Sequence, residues 1–97
     1  MAGITANTAI QPIKVTGTTD ADTEILAKTK HVFIQFIRWY KPTTSGHLCH
    51  ITDGDGNTIM KMNATSANDT QMWPVYNGYN GIRCDDMDSG ELYIYIK

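Results

Sequence analysis

His47, Cys49, His50 and Cys84 are the residues of this 97-residue chain best suited to metal or nucleophile chemistry. Zinc accepts imidazole and thiolate ligands, and a Cys beside a His is the starting pair for covalent catalysis. The spacing works against both. Side chains alternate between faces along a strand, so with residues 47–52 as a strand His47 and Cys49 share one face and His50 points to the other. At most three zinc ligands result, even with Cys84, and no third residue is placed to orient an imidazole. Neither Cys lies in a Cys-x-x-Cys pattern. Both are expected to be buried free thiols, and a bridge between them requires Cα atoms within about 7 Å.

Two acidic groups invite a similar test. Asp53-x-Asp55-x-Asn57 opens like a calcium loop, because hard cations take clustered carboxylate and amide oxygens. The sixth position is Thr58 instead of Gly and the twelfth is Ala64 instead of Glu, so the expected structure is a hairpin turn. Asp85, Asp86 and Asp88 can hold a cation or, since adjacent carboxylates drive their pKa values apart, serve as acid and base. No His or Arg adjoins them, and an acidic turn is expected. The chain is therefore read as non-enzymatic, with no cofactor and no metal.

Flat amphipathic side chains are the remaining resource: Trp39, Tyr40, Trp73, Tyr76, Tyr79, Tyr93 and Tyr95. Such rings serve in a core, in a protein interface or in a sugar-stacking platform. All three roles stay open for these residues at this level.

The elements that must position them are strands. Thr29 to Tyr40 is dense in β-branched and aromatic residues and is the expected central strand, with Val32, Ile34, Phe36 and Tyr40 on one face and Phe33, Ile37 and Trp39 on the other. His47 to Thr52 and Ile59 to Met62 form a hairpin around Asp53-Gly54-Asp55-Gly56-Asn57. Met72 to Tyr79 gives a strand edge interrupted by Pro74 and Gly78, and Ile82 to Cys84 a brief pairing. Asp85 to Gly90 turns the chain into a last strand, where Leu92, Ile94 and Ile96 face the core and Tyr93 and Tyr95 face out. Thr23 to Lys28 is the one candidate for a helical turn. Short strands about ten residues apart predict an all-β fold, a small β-sandwich or barrel-like domain of six to eight mostly antiparallel strands. Phe36 and Ile94 are expected in its core.

Residues 1–12 are small and polar apart from Ile4 and Ile10, and read as an N-terminal arm to a single β domain spanning 13–97. The arm is expected to dock on a neighbour through those two isoleucines. A chain of this size hides about 65% of its extended surface on folding, a modest core that a partner surface would reinforce.

Eight Lys and Arg against ten Asp and Glu give a net charge of −2, and the basic residues are scattered from Lys14 to Lys97. Duplex binding needs a basic stripe, so nucleic acid is not an expected partner. No run approaches the roughly 18 apolar residues of a membrane span, and no membrane association is expected. The start Met-Ala-Gly-Ile-Thr-Ala-Asn lacks the basic and apolar regions of a secretory signal, so synthesis in the cytoplasm is expected, and the Asn-x-Thr triplets at Asn63 and Asn68 read as loop polarity.

Four stretches carry a resemblance. They are Asn7-Thr8-Ala9-Ile10-Gln11-Pro12-Ile13-Lys14-Val15, the Trp39-Tyr40-Lys41-Pro42-Thr43 corner, the Asp-Gly hairpin, and Asp86-Met87-Asp88-Ser89-Gly90-Glu91-Leu92-Tyr93-Ile94-Tyr95-Ile96. Through them the chain resembles small virion structural proteins of tailed bacteriophages, of the capsid decoration or cement type. The resemblance implies a noncatalytic protein that forms dimers or trimers and clamps the major capsid protein or other virion subunits. Its implied place is the virion, after synthesis in the host cytoplasm. The expected interface residues are Ile4, Ile10, Trp39, Tyr40, Trp73, Tyr76, Tyr79, Tyr93 and Tyr95. A carbohydrate-binding β-sandwich module using exposed aromatics is the alternative.

Overall fold

Alternating apolar residues and Gly or Asp turns leave the chain little but strand to form, and strand is what it forms. The computed structural model describes residues 3–9, 11–20 and 22–97. Among them are seven strands and no helix: β1 (Ile4–Asn7), β2 (Ile13–Gly17), β3 (Thr23–Tyr40), β4 (Leu48–Thr52), β5 (Thr58–Asn63), β6 (Gln71–Met87) and β7 (Glu91–Ile96). All seven pair antiparallel in one sheet, ordered β1-β2-β7-β3-β6-β4-β5. The fold is all-β, with a strand count inside the expected range.

β3 and β6 organise this sheet. β3 has 18 residues, which at about 3.3 Å per residue would reach nearly 60 Å if straight. The molecule measures only 34 × 28 × 24 Å, so the β3·β6 ladder must bend hard. It bends where Leu26 pairs with Ile82 and the next partners are His31 and Asn80. Four residues of β3 there oppose Gly81 alone. Gly81 has φ of 76°, and a Cβ on it would lie 2.8 Å from the Lys28 Cα and 2.9 Å from the Leu26 and Ala27 carbonyl oxygens, which leaves glycine as the residue that fits.

A second irregularity corrects the expected faces of β3. Ile34 pairs with Ile96 of β7, and Phe36 pairs with Tyr95. Two residues thus span one, a β-bulge that shifts side-chain alternation by one position. Ile34, Ile37 and Trp39 consequently all point inward and are fully buried. Phe36 is not a core residue; it stacks on Tyr95 on the outer face with ring centroids 4.2 Å apart.

The core is built in cross-strand rows. Val15, Leu92, Trp39 and Gln71 form one, and Ile13, Ile94, Ile37 and Trp73 form the next. Cys49, Ile51, Met60 and Met62 of the β4–β5 hairpin join the same buried cluster as Ile82, Cys84 and Met87 of β6. Ile94 is fully buried as expected, and Leu92 with it.

Three boundaries differ from the sequence reading. Thr23 to Lys28 is strand, because its main chain pairs with Arg83 and Cys84 of β6. β6 continues to Met87, so the turn is confined to Asp88 through Gly90. The described part of the arm is also strand: Ile4 to Asn7 pair with Gly17 to Lys14, and Ile4 and Ala6 pack on the chain's own core. Ile4 therefore docks in cis. Ile10 lies outside the described residues.

Candidate protein interface

The groups that looked chemically able are tied into the fold separately. Asp53 is buried in the β4–β5 turn, where its Oδ1 accepts from the main-chain N–H of Asp55 and of Asn57, both at 2.9 Å, and its Oδ2 from the Asn57 side chain. Burial alone would raise its pKa, but these hydrogen bonds outweigh that and hold it below the usual carboxylate range. The expected hairpin turn is what the residues form.

His50 Nδ1 lies 3.1 Å from Asp85 Oδ2 and its Nε2 lies 3.0 Å from Thr58 Oγ1, a bridge across β6, β4 and β5. His47 Nδ1 instead lies 2.7 Å from Ser89 Oγ. Cys49 and Cys84 are free and fully buried. Burial raises both thiols, that of Cys84 to about 12. Among the described residues, no three His, Cys, Asp or Glu side chains gather as a metal site would require. No helix among them is long and apolar enough to cross a membrane.

Asp86 is the one strained acid. Its Oδ1 is shielded from solvent and has no hydrogen-bond partner among the described residues. Burial, the adjacent Asp88 carboxylate and the charges of Asp20 and Asp85 push it up to about 6. Asp88 itself accepts the Leu48 N–H at 2.8 Å.

What the fold assembles is a face. Directly opposed residues of antiparallel strands share one side of the sheet, so Lys14, Tyr93, Arg38 and Met72 form an outer row across β2, β7, β3 and β6. Beside it runs the row Tyr95, Phe36 and Pro74. On the other side lies Tyr40, opposite Glu91 and edge-on to Tyr93 at 6.3 Å. Phe33 extends the patch with 38% of its surface exposed, and Met72 closes it with 62%. Cations are threaded through these rings: Lys14 Nζ is 5.9 Å from the Tyr93 centroid, Lys41 Nζ 5.3 Å from Tyr40, and Lys97 Nζ 6.0 Å from Phe33.

No family model, curated protein or solved structure matches this chain.

Of the residues expected at an interface, Tyr40, Tyr93 and Tyr95 come together on this face. Trp39 does not. It is fully buried, because the bulge turns it inward, and its indole N–H is satisfied internally. Trp39 and Trp73 therefore do not form a shared exposed platform for a sugar. Trp73 closes an inner row at the free edge of β6, and Tyr79 is half-buried against the core. Tyr76, at φ of 50°, projects from an irregular stretch of β6 with most of its surface in solvent. Sequence reasoning missed Phe33, Phe36, Arg38 and Met72. Their residue types gave a signal, but only the bulge and the cross-strand register put them on the outer side.

Proposed function

We propose that this chain is a non-enzymatic structural subunit of the capsid decoration or cement type, which binds neighbouring protein subunits through the outer face of β2, β7, β3 and the first half of β6. The observation that carries the binding role is the continuity of that face. Phe33, Phe36, Tyr40, Tyr93, Tyr95 and Met72 lie side by side over β7, β3 and β6, with Lys14 of β2 beside Tyr93, in the aromatic and methionine-rich composition that marks interface centres. A rim of Lys14, Lys41, Lys97 and Glu91 supplies the polar border. The stacked pair Phe36 and Tyr95 offers a rigid anchor, since such rings contribute about 0.5–1.5 kcal/mol beyond the area they bury.

The virion setting rests on the resemblance in the sequence, and so do the major capsid protein as partner and the dimeric or trimeric state. Mass spectrometry of purified virus particles from the native source tests it, together with lysine cross-linking. The expected result is a fixed ratio of this chain to the main shell subunit, with cross-links from Lys14, Lys41 and Lys97. Absence from particles removes the virion assignment. Cross-links from Lys28, Lys30 and Lys61 alone remove the face.

A further inference from the structure

The charge on this chain is unevenly distributed. The outer face carries four of the eight Lys and Arg, namely Lys14, Arg38, Lys41 and Lys97, and one of the ten Asp and Glu, Glu91. It therefore bears a net charge of +3 on a chain of −2, and the rest of the molecule bears −5. Elsewhere three of the acids are held in ion pairs: Asp22 and Glu24 on Arg83, and Asp55 on Lys28 at 2.6 Å.

Arg38 sits at the centre of this pattern. It lies between Tyr93 and Met72 in the outer row, is exposed, and has no acidic partner among the described residues. A guanidinium in an aromatic field is well suited to a carboxylate, which it can hold with two parallel hydrogen bonds. Lys14, by contrast, is partly neutralised by Glu91 at 3.4 Å.

We infer that the surface this face binds is an acidic protein surface, whose Asp or Glu carboxylates dock on Arg38 and on the lysine rim around the aromatic centre. This rests on the reading of the face as a protein interface and adds the chemistry of the partner. Charge complementarity of this kind sets orientation and speeds encounter. A nucleic acid would also find cations and rings here. However, strand binding of that kind tracks the phosphates along a continuous basic groove, whereas here the cations form one +3 patch about 14 Å across its four strands beside a remainder of −5.

The test is titration of the isotope-labelled chain with poly-L-glutamate, read by amide chemical shifts, beside poly-L-lysine and a ten-residue oligothymidylate. Poly-L-glutamate should move residues 33–41 and 91–97 and should leave those around Lys30, Lys61 and Arg83 in place. Arg38→Glu should weaken that binding by about tenfold, as loss and reversal of a central charge contact does. Lys61→Glu serves as a control and should leave it unchanged, with circular dichroism verifying both folds. Shifts centred on Lys30 or Lys61, no binding, an unaffected Arg38→Glu variant, or tighter binding of the oligothymidylate at the face would each overturn the inference. If cross-linking still places the face against a partner protein, the failure belongs to the acidic partner and not to the interface.

Discussion

The indole Nε1 of Trp39 donates a 2.8 Å hydrogen bond to the main-chain carbonyl of Ser89, fifty residues away. Ser89 Oγ accepts in turn from the Thr43 N–H at 2.9 Å and pairs with His47. The end of β3, the loop after it and the β6–β7 turn are thereby fixed to one point. Gly90 closes the arrangement: at φ of 79°, a Cβ there would lie 2.8 Å from the Tyr40 carbonyl oxygen and 2.9 Å from Trp39 Nε1. Trp39→Phe should orphan the buried carbonyl at a cost of about 1–3 kcal/mol, with lost packing adding to it. Gly90→Ala should destabilise by at least as much. Urea unfolding of both variants measures this, and midpoints equal to the parent would contradict the account.

Asp86 gives a pH dependence of unusual sign. Its folded pKa of about 6 stands above the ordinary value of 3.8, so the folded state favours the protonated acid. The stability this provides is full below about pH 4 and is lost as pH rises through 6. Asp86→Asn should therefore raise the melting temperature at pH 7.5 and change it little at pH 4. After screening by solvent, the gain should be on the order of 1 kcal/mol. A variant equally shifted at both pH values would show that charge is not the cause.

Cys49 and Cys84 should be silent in the native protein. Burial keeps both thiols protonated at pH 8, and the thiolate is the reactive form. A chromogenic disulfide reagent should label neither until denaturant is added, and then both. Rapid labelling of the folded chain would place the thiols at the surface.

Removal of residues 1–12 should leave a folded β domain with a lower melting temperature. The truncated chain loses the β1 ladder, the packing of Ile4, and the two hydrogen bonds by which the Gln11 amide mimics a strand partner for Ile96. Burial of a half-exposed isoleucine and these bonds together suggest a cost of about 1–3 kcal/mol. Calorimetry of the chain starting at Ile13 checks it, and an unchanged melting temperature would mean that β1 adds nothing to the domain.

The last strand was fully legible, because Leu92, Ile94 and Ile96 alternate with Tyr93 and Tyr95 without interruption. β3 was legible as an element but not in its faces. Alternation counts residues, and a bulge at Gln35 adds one that no residue type announces. Residues 23–28 show no period-2 alternation, because Ile25 and Leu26 are adjacent and Ala27 follows them, and the segment acquires strand structure from its pairing with β6. The tyrosines of the outer face could be named from the sequence. The clustering of Lys14, Arg38 and Lys97 could not, since strands distant in the chain bring them together.

The bent β3·β6 ladder also bears on how the chain reaches its fold. Thr23 pairs with Cys84 and Trp39 with Gln71, so the pairing that organises the sheet closes loops of tens of residues before it gains anything in return. Contacts this remote in sequence place folding in the range of about milliseconds to seconds. The β4–β5 hairpin, closed locally by Asp53, and the β1–β2 pairing join residues close in sequence and are the portions able to form early. Because each of the two long strands runs through both ends of the sheet, neither end has its full set of main-chain partners without the other. The chain should unfold in a single transition, with no half that survives alone.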